Sequence, residues 1–260
     1  MATTVAEAGP RSKRAAILQA AVRSFGETGY EHTKWSAVAD RVGIGQTALY
    51  HYFESKAHCL LTIMHMELAR SADNFTAATQ GLEPLPALRA AVRTAYDVKK
   101  QEVLQMRILH THTSMLAHPR GSVREEEERQ ASRALVQQIE HNWTDLMQRG
   151  MDTGIFPERN ATLIGRATLG LVISVWDWYR PGGALSLPEI SDMMTAGVER
   201  FARGVDIGDA DGPVAATPTR TRRPSAGTAA DGASPAPDGP APPVKVSAPS
   251  SRRPRTARSR

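Results

Sequence analysis

Apolar residues recur at spacings of three and four along residues 12–204, the repeat expected of helices that each bury one face. The first stripe is Ile17, Leu18, Ala21, Val22 and Phe25; Ser12 stands where it can cap this helix, and Gly26 and Gly29 end it. Two short helices are expected next, over about 34–41 and 45–51. In them Ala37, Val38 and Val42 can face inward, Trp35 lies against the first helix, Gly43 marks a sharp turn, and Leu49 and Tyr52 pack inside. Thr33 is placed to cap the second helix, its hydroxyl accepting from the N–H of Trp35 or Ser36, whereas Gly45 opens the third as a weaker cap.

Ser55 caps a long helix over 56 to about 79, with Leu60, Leu61, Met64, Leu68 and Ala72 as its buried ridge. Gly81, Pro84 and Pro86 break the pattern before a helix over 87–100 through Leu88, Ala91, Val92 and Ala95. An amphipathic stretch rich in Met and Leu occupies 102–116, and Pro119 and Gly121 interrupt it. The acidic run 125–128 suits a helix N-terminus, and Leu135, Ile139, Trp143, Leu146 and Met147 carry that helix to about 149. Residues 161–180 are apolar on several faces, so this helix must be central to the core or covered by a second subunit. Pro181, Gly182 and Gly183 terminate it, and a last amphipathic helix runs over 187–204 through Leu187, Ile190, Met193, Met194, Val198 and Phe201. No segment alternates long enough for a strand, so the expected class is all-α.

The short pair around Gly43 has the pattern of a helix-turn-helix, whose second helix enters the major groove of DNA. Charge adds less than the formal net of +5 implies. Residues 211–260 carry nine Arg or Lys against three Asp, a net +6, so residues 1–210 sum to about −1. The same segment holds ten of the seventeen prolines and no spaced hydrophobic set, the composition of a disordered tail. Its Arg clusters at 220, 222 and 223 and at 252, 253 and 255 can add salt-sensitive, non-specific attraction to DNA, or serve solubility alone. The expected organisation is a disordered leader over 1–10, a helix-turn-helix domain over 11–54, a ligand-binding and dimerisation domain over 55–206, and the tail over 207–260.

A single cysteine, Cys59, excludes an intrachain disulfide framework and a thiolate-rich metal site. Without an apolar run of eighteen residues or a signal-like N-terminus, a soluble cytoplasmic protein with no membrane partner is expected. His110 and His112 lie two apart, about 200° around a helix, and cannot clamp one ion from the same face. With His118 they read first as polar or pocket-edge residues, with a metal or pH-sensing role as the alternative. No paired carboxylates, Gly-rich phosphate loop or Ser/His/Asp set stands out, so no enzyme, cofactor or metal is expected.

The segment Ala37-Val38-Ala39-Asp40-Arg41-Val42-Gly43-Ile44, followed by Leu49-Tyr50-His51-Tyr52-Phe53 and Ser55-Lys56, resembles the signature of the TetR family of bacterial transcriptional regulators. Phe25-Gly26-Glu27-Thr28-Gly29-Tyr30 and Thr33 fit it as well, and specific matching covers about residues 13–61. Gly45 and Thr47 depart from the family's common residues, Ser and a small residue respectively, which leaves the operator sequence open. The resemblance implies a homodimeric repressor of a palindromic operator, with a three-helix head, a linking fourth helix, a ligand-binding body and a four-helix dimer interface over 161–180 and 187–204. The ending Trp176-Asp177-Trp178-Tyr179-Arg180-Pro181-Gly182-Gly183 resembles a form found in regulators of lipid, steroid and acyl-thioester metabolism.

In that frame Gln46 and Thr47 face base edges, since Gln pairs bidentately with adenine and a Thr methyl touches thymine. Tyr50, His51 and Lys56 are candidates for phosphate, with Thr33 and Lys34 near the DNA backbone; Tyr50 can instead pack inside the head. Met106, Leu109, His110, Met115, Trp143, Met147, Thr168 and Trp176 can line a body cavity for a hydrophobic or aromatic effector, although each also reads as ordinary core. An alternative is a ligand-independent architectural or interaction module with a solidly packed body; another is activation in place of repression.

Overall fold

A computed structural model describes residues 10–99 and 102–204. The expectations for the leader and for the tail lie outside the described residues, apart from Pro10, which opens the first helix. Ten α-helices and one 3₁₀ turn account for the described chain: α1 Pro10–Thr28, α2 Trp35–Val42, α3 Gln46–Tyr52, α4 Lys56–Thr79, α5 Pro84–Tyr96, α6 Glu102–Thr111, the 3₁₀ turn Thr113–Leu116, α7 Val123–Asp152, α8 Ala161–Ile173, α9 Val175–Trp178 and α10 Leu187–Arg203.

The head is built where the first apolar stripe meets the next three helices. Ile17, Ala21, Val22 and Phe25 of α1 pack with Trp35, Val38 and Ala39 of α2, Leu49 of α3, Phe53, and the N-terminal half of α4. Leu49 and Phe53 are fully buried, each stabilising the head by about 1.5–3 kcal/mol through loss of apolar surface from water. Ala37 does not face inward: α2 presents the three-and-four stripe 35, 38, 39, 42, with Trp35 and Ala39 inside and Ala37 exposed. Gly43 ends α2 at φ 71°, a left-handed turn that a side chain resists, and its N–H bonds the carbonyls of Ala39 and Asp40.

Thr33 is not the cap of α2. That position falls to Lys34, which makes no side-chain cap bond, so the Thr33 hydroxyl lies one residue outside the helix. It turns into the head instead, donating to the Gly29 carbonyl at 2.7 Å and resting 2.9 Å from the Thr28 hydroxyl. Gly45 does precede α3 with no side-chain cap, and Ser55 caps α4 by accepting from the His58 N–H.

Several boundaries in the body differ from the sequence reading; one is the end of α5, which stops at Tyr96 and not at residue 100, the Asp97 N–H closing on the Arg93 carbonyl. Helix α5 starts at Pro84, three residues early, because prolines in a first helical turn forgo N–H groups that have no partner there. The stretch 102–116 is a helix only to Thr111; the His112 N–H is shared between the carbonyls of Ile108 and Leu109, its ring Nδ1–H donates to the Ile108 carbonyl at 2.9 Å, and a 3₁₀ turn follows. The long apolar helix over 161–180 is broken at Ser174, whose hydroxyl donates back to the Leu171 carbonyl at 2.7 Å, and α9 ends at Trp178, before Pro181.

Helix α4 joins the two cores. Cys59, Leu60, Leu61, Ile63, Met64 and Leu68 belong to the head cluster, whereas Phe75 belongs to the body cluster formed with α5, α7, α8, α9 and α10. Helix α8 crosses α7 closely at Gly165, where any Cβ would stand 2.9 Å from the Thr144 backbone. Replacing Thr33 by Val, equal in shape but without the hydroxyl, should destabilise the chain by about 1–3 kcal/mol because the bond to the Gly29 carbonyl is lost. Urea denaturation of both proteins measures this, and an unchanged midpoint would contradict the assignment.

Candidate nucleic-acid interface and body cavity

With Leu49 and Phe53 anchored inward, α3 turns Gln46, Thr47, Tyr50 and His51 to solvent as one contiguous face. Tyr50 is 45% exposed, which resolves its two sequence readings in favour of the outward one. Lys34, at the entry to α2, is exposed too. Two candidates do not join this face. Thr33 is buried with its hydroxyl engaged. Lys56 directs its ammonium at the carbonyls of Tyr30, Glu31 and Thr33, at 2.7, 3.2 and 3.2 Å, and rests 4.3 Å from the Tyr30 ring centroid. All three of its donors are committed inside the head, so it clamps the α1–α2 connection to the start of α4 and is not a free phosphate contact. The Arg14 guanidinium lies 4.8 Å from the Phe53 ring centroid.

A polar junction ties α4 to α7. The Ser55 hydroxyl donates to Glu125 at 2.5 Å while accepting from the His58 N–H at 2.9 Å, and the Ser122 hydroxyl donates to the Glu54 carboxylate. The Thr62 hydroxyl lies 3.0 Å from both the His58 carbonyl and Glu128. Arg120 meets Glu125 at 3.0 Å; Arg129 pairs with Glu126 at 2.6 Å and donates to the Leu116 carbonyl at 3.0 Å. Arg129 and its neighbours hold the Glu126 carboxyl well below the usual carboxylate range. His58 is buried, and its Nδ1 accepts the Glu54 N–H at 3.3 Å, an arrangement only the neutral ring can adopt on that nitrogen. Burial lowers its pKa, opposed by Glu54 and Glu128. Cys59, beside it, is fully buried and its thiol is pushed up by loss of water, so it is an inert interior residue.

The body encloses a cavity of about 250 Å³ between α4, α5, α6, α7, α8 and α9. Phe75 and Trp143 form one wall, ring centroids 5.1 Å apart, and Val172 and Trp176 another. Tyr96 supports the second wall by donating to the Val172 carbonyl at 2.7 Å, and burial pushes its phenol pKa up. Polar groups are few: Ser71, Asn74, Thr94, His110 and Thr113, with Arg70 held by Glu67 at 2.5 Å and Glu102 at 3.0 Å, and Glu140 held by Arg166 at 3.1 Å. Burial raises the Glu67 carboxyl pKa against the pull of Arg70. Few polar anchors in an apolar enclosure suit a small hydrophobic ligand.

Of the eight residues proposed from sequence, Met106, Leu109, His110, Trp143 and Trp176 line this cavity. Met115 packs on the head cluster, Met147 is fully buried in the body core, and Thr168 is fully buried away from the lining. Phe75, Asn74, Thr94 and Val172 were missed; Phe75 extends the α4 ridge one step past Ala72, and the others carry no pattern beyond ordinary core or surface. His110 bonds Asp177 at 2.8 Å, His112 stands by the Tyr30 ring, and His118 is exposed, so the three do not converge. Among the described residues no group of three His, Cys, Asp or Glu is placed to hold a metal, and no helix is long and apolar enough to cross a membrane.

Residues 17–63 match the family model described as bacterial regulatory proteins, tetR family, and residues 84–200 match tetracyclin repressor-like, C-terminal domain. The transcriptional repressor KstR2 of Mycobacterium tuberculosis is 27% identical over 191 residues, covering 71% of this chain and 90% of that protein. The crystal structure of PfmR, a TetR family transcriptional regulator from Thermus thermophilus, superposes with a TM-score of 0.61 at 25% identity, over 73% of this chain and 98% of that one. AibR, solved in complex with isovaleryl coenzyme A and operator DNA, shares the fold with a TM-score of 0.59 at 23% identity, over 71% and 97%.

Because the native state holds His58 neutral, the unfolded chain takes up that proton first. The stability it carries is complete above about 6.5, the ordinary imidazole pKa, and is lost as pH falls toward the depressed folded value. His58→Gln should flatten the stability profile between pH 7.5 and 5; urea midpoints that fall in parallel for both proteins would show that His58 does not carry this dependence.

Proposed function

Since the chain belongs to the TetR family of bacterial regulatory proteins, we propose that it is a transcriptional repressor that binds a palindromic operator as a homodimer and is released when a small hydrophobic or aromatic effector enters the body cavity. The observation that carries the reading is the double membership of α4. Its first half is core to the head, and Leu68, Asn74 and Phe75 further along wall the cavity. A ligand that favours one placement of α4 therefore favours one placement of α3, which is the differential binding that release requires. An open apolar cavity also speaks against a solidly packed architectural module.

In this reading the head spans 11–54 and the body 55–206, and the protein acts in the cytoplasm on double-stranded operator DNA. Gln46 and Thr47 read base edges, while Lys34, Tyr50 and His51 touch phosphate. Two heads about 34 Å apart read the two halves of a palindrome. The dimer forms through about 161–180 and 187–204, a proposal supported by the surfaces of α8 and α10. Leu163 is 64% exposed and Met193 54%, beside exposed Gly170, Leu171, Ala196 and Gly197, and small residues let a second pair of helices approach closely. The effector is drawn from lipid or acyl-thioester chemistry: the cavity is apolar, and the structurally similar AibR was solved with isovaleryl coenzyme A.

Selection from a random duplex library with the whole chain should return a palindrome. Gln46→Ala with Thr47→Ala should lose that sequence preference while far-ultraviolet circular dichroism is unchanged; an unchanged preference counts against the placement of α3. Ala95→Phe, which projects a ring into the cavity, should keep the selected duplex and lose its release by short acyl-coenzyme A thioesters, read by mobility shift. Release that survives Ala95→Phe would put the effector elsewhere.

A further inference from the structure

The buried face of α1 extends one turn ahead of its first apolar residue. Arg14 stands in line with Ile17, Leu18 and Ala21, half-buried, and its guanidinium rests 4.8 Å from the Phe53 ring centroid. Phe53 is fully buried and is the residue on which α3 ends, its N–H closing on the Leu49 carbonyl at 3.0 Å. A second ring meets it: His58 of α4 lies 5.5 Å from Phe53, centroid to centroid, with the planes at 70°. The two residues that follow are fixed as well. The Glu54 N–H donates to His58 Nδ1 at 3.3 Å, the Ser122 hydroxyl to the Glu54 carboxylate, and the Ser55 hydroxyl to Glu125 at 2.5 Å. The C-terminal end of α3 is thus gripped from α1, from α4 and from the start of α7. Its other end has less to hold it. Gly45 supplies no side-chain cap, and a Cβ placed there would touch nothing. Of the side chains of α3, Leu49 is buried and Tyr52 packs partly, and neither lies in the first turn.

We infer that Arg14 is a positioning residue for sequence reading: by holding the Phe53 ring, it sets the angle at which α3 carries Gln46 and Thr47. The inference rests on α3 being the helix that reads bases. Seven residues of helix span about 10 Å, so a small rotation about the anchored end displaces the first turn most. Pairing between a side chain and a base edge depends on direction and is lost over a fraction of an ångström. Attraction between a cation and a phosphate falls off slowly with distance and survives the same shift. Tilting α3 therefore costs discrimination before it costs affinity. A guanidinium suits this role because it is planar and stacks on an aromatic face. Among the described residues Arg14 forms no ion pair, so no acid competes with Phe53 for it; the rival role for such a cation is a phosphate contact.

Duplex affinities of the full chain, read by fluorescence anisotropy across a salt series, separate the two roles. The probes are the duplex returned by random-library selection and a scrambled duplex of equal length. Arg14→Met keeps the stem and removes the cation. It should lower the ratio of the two affinities about tenfold and leave the slope of log affinity against log salt unchanged. Arg14→Lys, which returns a cation to the ring without the planar stack, should recover part of that ratio. If the Met protein does not fold, Arg14→Lys carries the test: a ratio below that of the unmodified chain is expected, and an equal one overturns the inference. A slope smaller by about one at an intact ratio makes Arg14 a phosphate contact, and also overturns it. So does an intact ratio with a lowered urea midpoint, the mark of a residue that only stabilises the head. An unmodified chain that binds both duplexes alike would bring down the reading of α3 itself, and this inference with it.

Discussion

Everything in the described chain depends on α4 being buried twice along its length. Its N-terminal half completes the head core with Cys59, Leu60, Leu61 and Met64, and Phe75 packs edge-on against Trp143 of α7 in the body. A helix held at both ends by apolar packing transmits displacement as a rod, because its backbone hydrogen bonds resist bending. The head is therefore positioned by the body through α4 and through α6, whose Val103 belongs to the body core while Ile108 and Leu109 belong to the head core, with α1 packed against α6.

The contacts that hold α4 to α7 change character along the seam. Near the head they are polar: Ser55 to Glu125, Ser122 to Glu54, Thr62 to Glu128. Near the cavity they are apolar. Apolar packing tolerates small sliding at little cost, whereas a partly buried hydrogen bond is lost over a fraction of an ångström. The polar end thus sets the register of the head against the body. Arg129 extends that end to the Leu116 carbonyl, at the foot of the 3₁₀ turn whose Thr113 and Leu116 also line the cavity. Exposed pairs elsewhere, such as Arg41 with Glu27, contribute little, since water and salt screen them.

The body resolves a conflict between two demands on α8 and α9. Gly165 must meet α7, Val172 and Trp176 must wall the cavity, and Leu163 and Leu171 remain outward. One straight helix presents too few faces for all three. The break at Ser174 reorients the last turn, which brings Trp176 over the cavity and Asp177 to His110.

Residue patterns alone determined the class, the order and most spans of the helices, the Gly43 turn, the Ser55 cap and the outward face of α3. Each of those follows from interactions within a few residues: helical periodicity, capping and the freedom of glycine. They failed where the partner is distant in sequence. Thr33 and Lys56 read as exposed polar groups, yet the fold turns them inward onto the Tyr30 region; Met147 and Thr168 share composition with cavity residues but face core. Nothing in the order of residues distinguishes a methionine lining an empty space from one filling it. Which side chain meets which across helices is settled by packing of the whole chain, and that is a property only the tertiary structure possesses.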